Sequence, residues 1–179
     1  MISEIIKGNI IDFAKEGMFD FIAHGCNTMC AMKSGVAVDT AKNFRCDQFP
    51  MEKERNVNKL GNIDSQKFLI YRNQFINTLS NSYKELESQP NKKFVIVVNA
   101  YTQAYPGVPF YGDAIPLSYE ALDLCFQKIN HFFGTSHAVL GLPYMIGCGL
   151  AGGDITRVKE IIEKRCTHFK KIIYCNING

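Results

Sequence analysis

No segment of this 179-residue chain approaches the ~18 consecutive apolar residues that a membrane-spanning helix needs. Its start, MISEIIKGNIIDFAKEG, places Glu4, Lys7 and Asp12 where a signal peptide would require an unbroken apolar stretch, so neither a membrane anchor nor secretion by that route is expected. Excess charge is scarce as well: 20 Lys and Arg against 17 Asp and Glu leave a formal +3. The basic pairs Lys92-Lys93, Lys164-Arg165 and Lys170-Lys171 lie far apart in the chain, which argues against a nucleic-acid groove and for a mild attraction to anions only. Internal repeats, low-complexity tracts and Pro/Gly linkers are missing, so one domain over residues 1–179 is expected.

What is present is a core. With 46% hydrophobic and 12% aromatic residues, the chain can bury enough apolar surface to exclude disorder as its main state. The seven cysteines are an odd set, and most sit inside apolar patterns such as IIYCNI. They read as small buried hydrophobes in a reducing, cytoplasmic setting. Short apolar runs followed by Gly, Asn or Thr alternate with helical patterns, the signature of an α/β sheet covered by helices on both faces. Strands are expected at Ile2–Ile6, Phe19–Ala23, Phe68–Tyr71, Phe94–Tyr101, Ala138–Leu142 and Lys171–Asn176. FVIVVNAY, almost continuously β-branched or aromatic, belongs in the middle of the sheet. Helices are expected at Val36–Phe44, Asn73–Glu87, Leu117–Phe133 and Ile155–Phe169, the last with Asp154 as N-cap, and the polar stretch Arg45–Ser65 reads as a helix plus turn.

Three segments could carry chemistry. In LPYMIGCGLAGGDITRV an apolar strand ends, and Gly147, Gly149, Gly152 and Gly153 precede a capped helix. Glycines let main chain approach a ligand, and N–H groups at a helix N-terminus favour an anion, so this loop reads as a phosphate or diphosphate cradle. It lacks the lysine and hydroxyl of a Walker A loop, and its GxGxxG spacing falls late in the chain without a following ribose-binding carboxylate. Asp154 either caps the last helix or, at the mouth of the loop, orients water or a histidine. In FDFIAHGCNTMCAMKSGVA a strand runs into a loop bearing His24, Cys26, Asn27 and Cys30, and then Gly35 and a small-residue helix start. Asn27 and glycine N–H groups suit ribose hydroxyls and phosphate, while His24 could move a proton or serve as a structural histidine. A zinc site on His24, Cys26 and Cys30 with Cys46 or Cys148 fits no strong template, and a Cys26 or Cys148 nucleophile would have only His24 as a nearby base. Finally, NAYTQAYPGVPFYGDAIP supplies Asn99, Tyr101, Thr102, Gln103 and Tyr105, and a loop whose Phe110 and Tyr111 could close over a ring or sugar.

In this chain order the segments resemble the macrodomain family, an ADP-ribose-binding α/β module, over most of the chain. The resemblance implies a three-layer α/β/α sandwich around a mixed, mostly parallel sheet. IIKGNII resembles the family's opening strand motif, which places Asn9 and Ile10 at the adenine, with Asn9 where many members have Asp. AHGCNTMCAMKSGVA resembles the loop around the distal ribose, implicating Asn27, Gly35, Val36 and Ala37. LPYMIGCGLAGGD resembles the diphosphate loop, implicating Ile146, Gly147, Cys148, Gly149, Leu150, Ala151 and Gly152. IIYCNI resembles the final strand beside the adenosine, with Asn176, and Thr102 is expected at the ligand too. The His-x-Cys-Asn pattern is most similar to the branch that includes ADP-ribose 1″-phosphate phosphatases. That likeness implies removal of the terminal phosphate of ADP-ribose 1″-phosphate, with His24 and Asp154 as catalytic residues and no cofactor or metal. Hydrolysis of ADP-ribosyl linkages on protein or nucleic acid, or non-catalytic ADP-ribose binding, are the alternatives. Ala151 directly after GCGL, where a related de-ADP-ribosylating branch has aspartate, counts against that branch's mechanism. The implied partners are ADP-ribose, its 1″-phosphate or ADP-ribosylated macromolecules, bound by a monomer.

Overall fold

The computed structural model describes residues 1–106 and 115–178; Phe110 and Tyr111 lie outside the described residues. Seven strands form one sheet in the order β1-β7-β6-β2-β5-β3-β4: β1 Ile2–Lys7, β2 Phe21–Asn27, β3 Ile63–Tyr71, β4 Gln74–Asn77, β5 Lys93–Gln103, β6 Val139–Pro143 and β7 Lys171–Asn176. The neighbours from β1 through β5 pair in parallel, and β3 is antiparallel to both β5 and β4. The sheet is therefore mixed and mostly parallel, as the resemblance had implied.

Alternation along the interior strands sends side chains into two cores. On one face Val98, Ala100, Leu140, Leu142, Ile172 and Tyr174 pack against α4 (Tyr119–Phe133) and α5 (Ile155–Arg165). On the other, Ile22, Val95, Val97, Ile173 and Cys175 pack against α1 (Ile10–Lys15) and Phe44 of α2 (Val36–Phe44). A strand buried on both faces has no polar side to show, and this is why FVIVVNAY, Asn99 apart, reads as a continuous apolar run.

Several expectations need correction. The segment Asn73–Glu87, expected as one helix, is strand β4 followed by the short helix α3 (Asn81–Leu86). Arg72 and Asn73 both take left-handed backbone, at φ 49° and 60°, which closes a two-residue hairpin turn and pairs Tyr71 with Gln74. Phe75 then stacks on Phe44 with ring centroids 4.2 Å apart. Arg45–Ser65 holds three 3-10 turns (Cys46–Gln48, Pro50–Lys53, Val57–Lys59) and the start of β3, not a helix. Helix α1 falls where only a strand motif was anticipated. Asn9 caps it, its side-chain oxygen accepting from Ile11 N at 2.8 Å. Helix α5 stops at Arg165, four residues early, where Cys166 leaves helical geometry with φ −87° and ψ 47°.

Phe126 is fully buried in the α4 face of the core. Phe126→Ala is expected to cost about 3–5 kcal/mol, read as a lowered urea midpoint with little change in slope.

Candidate functional site

Parallel strands β2, β6 and β7 end at the same edge of the sheet, where an open α/β sheet leaves a crevice. A cleft of ≈ 370 Å³ lies there, walled by His24–Asn27, the loop through Gly35 to Ala37, the segment 143–151, and Cys175–Asn178. No Lys, Arg, Asp or Glu among the described residues lines it.

Two stretches of main chain supply its polar groups. In the loop after β6, the amides of Ile146, Cys148, Gly152 and Gly153 are consumed within the loop, donating to Pro143, Met145, Gly149 and Gly147 carbonyls at 2.9–3.0 Å. The amides of Gly147, Gly149, Leu150 and Ala151 donate to no acceptor among the described residues. This coil is tight: a Cβ on Gly153 would lie 2.5 Å from the Gly147 carbonyl oxygen and 2.4 Å from Leu117 Cδ2. Across the cleft, α2 begins at Gly35, whose φ 59° and ψ −150° suit glycine alone. Having no side chain, Gly35 cannot cap the helix, and the first-turn N–H groups of Val36 and Ala37 find no acceptor among the described residues. Asn27 holds the intervening loop from below: its side-chain amide donates to Ala31 O at 2.7 Å, and its oxygen accepts from Met29 N and Ala31 N.

His24 lies within β2 and is 2% exposed, not on the loop after it. Its Nε2 is 2.8 Å from Asn99 Oδ1, and Asn99 is oriented by donating to Cys46 O at 2.9 Å. With an acceptor at Nε2, the proton sits there and Nδ1 keeps its lone pair, 3.5 Å from Thr40 Oγ1. Burial lowers the pKa of His24 from 6.5 to about 4, against the opposing effect of the Asn99 bond. Neither thiol candidate is a thiolate at neutral pH. Burial, then the charge of Glu52, pushes Cys26 well above its usual value, and burial with Asp154 lifts Cys148 to about 11.

Of the residues expected at the ligand, His24, Asn27, Gly35, Val36, Ala37, Ile146, Gly147, Gly149, Leu150, Ala151 and Asn176 line the cleft together. Others do not. Cys148 and Gly152 belong to the coil behind the lining, with Gly152 N bound to Gly149 O. Thr102 is fully buried, its Oγ1 behind Gly25, where a Cβ would meet it at 3.1 Å. Ile10 is buried in the α1 core, and Asn9 spends its oxygen on the cap, although Gly8 N donates to Asn176 O and brings that turn to the cleft's edge. The expectation that Asp154 orients His24 or a water is corrected: its Oδ1 accepts from Arg157 N at 2.8 Å as the α5 N-cap, it is exposed, and it lies outside the cleft lining. Cys30 turns to Glu54 O, and the described residues contain no group of three or more His, Cys, Asp or Glu placed to hold a metal ion. Unanticipated were the exposed apolar side chains at the mouth, Met145 and Ile177, and Thr40 beneath it. Asn99 had a signal, an amide alone in a run of β-branched residues.

No family model matches the chain. It is 29% identical over 179 residues to a 17.5 kDa protein encoded in the tk–vs intergenic region of Enterobacteria phage T4, covering 97% of this chain and 96% of that one. Among solved structures, Thermosipho africanus DarTG in complex with ADP-ribose matches with TM-score 0.68 at 13% identity, over 100% of this chain and 43% of that one. The macrodomain of Thermus aquaticus DarG matches with TM-score 0.58 at 16% identity, over 97% of each chain. The fold is that of the macrodomains.

The unfolded chain takes up the His24 proton near pH 6.5, whereas the folded one resists it until about pH 4. The unfolded state therefore binds the extra proton across this window. Stability is full above pH 6.5 and falls as the pH drops towards 4, by about 3 kcal/mol in all from this group. Urea midpoints measured from pH 7 to 4 for wild type and His24→Gln should differ in slope, with the variant losing less.

Proposed function

We propose that the chain binds ADP-ribose in this cleft. The observation that carries the reading is the convergence of two sets of unspent main-chain N–H groups on a space without charged side chains among the described residues. A diphosphate spreads its charge over several oxygens, and preorganised amides plus a helix start can share it without a cation. The amides of Gly147, Gly149, Leu150 and Ala151 would hold the diphosphate. Asn27 and the Gly35–Ala37 amides would hold the distal ribose, and Asn176 with the exposed Ile177 would border the adenosine. The ADP-ribose in the structurally similar DarTG supports this reading.

The finer reading is hydrolysis of ADP-ribose 1″-phosphate: water adds to the terminal phosphorus, and the bond from phosphorus to the ribose oxygen breaks. His24 supports it, because a neutral imidazole, its Nδ1 3.5 Å from Thr40 Oγ1 and 3.8 Å from Cys26 Sγ, is among the residues that line the cleft. It would take the proton of the attacking water or attack phosphorus itself. Asp154 has no part in this proposal. Cleavage of an ADP-ribosyl linkage to protein or nucleic acid, and binding without turnover, are separated from it by substrate.

Titration with ADP-ribose should give saturable heat and shift the amide resonances of Gly147–Ala151 and Gly35–Ala37. Undisturbed resonances in both segments would overturn the binding reading. Asp154→Ala should lower stability by about 1 kcal/mol through the lost cap, yet leave the ADP-ribose affinity measured by calorimetry unchanged. Phosphate release from ADP-ribose 1″-phosphate should persist in wild type down to about pH 4, where His24 protonates, and be abolished in His24→Ala. Unaltered turnover in that variant would remove His24 from the chemistry.

A further inference from the structure

Outside the cleft lining, a lysine, a cysteine and a glutamate are brought together by the 3-10 turns between α2 and β3. Lys59 is only 6% exposed. Its Nζ donates to Met51 O at 2.7 Å, lies 4.7 Å from the centre of the Tyr101 ring, and sits 3.2 Å from Cys30 Sγ. Buried lysines are ordinarily matched with a carboxylate, yet no salt bridge joins Lys59 to an acid among the described residues. Cys30 is half-buried, and its left-handed backbone, φ 58°, is a conformation few L residues adopt. Its thiol donates to Glu54 O at 3.2 Å. Glu52 is 5% exposed, and neither carboxylate oxygen makes a hydrogen bond of normal geometry. Burial raises its pKa, while the Tyr101 hydroxyl, the Lys59 charge and the Cys30 thiol partly offset the rise.

An amine nitrogen at 3.2 Å from the sulfur of a half-buried cysteine is in position to attack it once the sulfur becomes electrophilic. We infer that Cys30 and Lys59 form a peroxide-responsive site, in which oxidised Cys30 is captured by Lys59 as a sulfur–nitrogen crosslink. In the first step the Cys30 sulfur attacks hydrogen peroxide: a sulfur–oxygen bond forms, the oxygen–oxygen bond breaks, sulfur is oxidised by two electrons to the sulfenic acid, and the departing hydroxide leaves as water with the thiol proton. In the second, the Lys59 amine, its ammonium proton lost to water, attacks sulfur; the nitrogen–sulfur bond forms, the sulfur–oxygen bond breaks, and hydroxide leaves with an amine proton as water. The net change is one thiol, one amine and one peroxide converted to a sulfenamide and two waters, so no second oxidant is needed. The bond ties the loop that carries Asn27's partners Met29 and Ala31 to the turn Val57–Lys59. That loop runs on into Gly35, so the crosslink would set the position of one wall of the cleft in an oxidising cell.

The bridge requires no ligand, and its test stands apart from the ADP-ribose reading. Folded wild type, Cys30→Ser and Lys59→Arg are treated with hydrogen peroxide, with and without dimedone, and digested for mass spectrometry. Wild type should yield the Cys30 and Lys59 peptides joined, lighter than their sum by two hydrogens, and separated again by dithiothreitol. Both variants should lack the joined peptide, and Lys59→Arg should show several-fold more dimedone-labelled Cys30, because its sulfenic acid has no amine to capture it. If Lys59→Arg does not fold, the joined peptide in wild type and its loss in Cys30→Ser decide the matter. Reduced Cys30 after peroxide, or Cys30 that ends as unlinked sulfenic or sulfinic acid in wild type, would overturn the proposal.

Discussion

Main-chain N–H groups that find no acceptor among the described residues are the constraint around which this molecule is arranged. Three adjacent parallel strands, β2, β6 and β7, end at one edge, and the chain leaves β2 and β6 there through loops that lead into helices. The exit from β2 enters α2 through a glycine that cannot cap it, and the exit from β6 coils so tightly that half of its amides bond within the coil while the others find no acceptor among the described residues. An amide shut away from water without a partner costs about 1–3 kcal/mol. These groups therefore have to lie at an open cleft, where water or an anion can serve them, and the buried Leu117 and Ile146 against the coil keep it from relaxing inward.

Beneath that edge runs a second, quieter device. His24, Asn99 and Thr40 form a polar row on the α1 and α2 face of a sheet otherwise packed with Val, Ile and Phe. The row is satisfied by main chain: Asn99 holds the Cys46 carbonyl, and Thr40 donates to Val36 O one turn back in its helix. Such a row locks one tautomer of His24 and keeps it neutral, while the same burial keeps nearby thiols protonated.

The parallel core was legible because a strand buried on both faces has an unmistakable composition, and Asp154 was legible as a cap because capping depends on neighbours three residues away. The β3–β4 hairpin was not. Gln74–Asn77 has no run of β-branched residues, and its strand state rests on pairing with β3 and on Phe75 reaching Phe44, thirty-one positions earlier in the chain. Helix α1 was hidden for a similar reason: Ile10 and Ile11 look like strand residues until the core they fill is seen. At the site, the glycine loop and the Gly35 helix start stood out as local patterns. Thr102 looked equally available, because strand residues past a core segment alternate faces and only the sheet decides which face is covered.

Local chemistry, then, was settled by the order of residues: where glycines permit unusual backbone, where a polar side chain can cap, where apolar runs must be buried. Distances between segments far apart in the chain were settled by packing. Asp154 and His24 carry the right groups for a catalytic pair, yet the carboxylate caps a helix outside the cleft while the imidazole bonds to Asn99 inside the sheet. Cys30, which the sequence offered as a zinc ligand, instead meets Lys59 at 3.2 Å. Side-chain reach is a few ångströms, so which groups can react is decided by the fold that sets their separation.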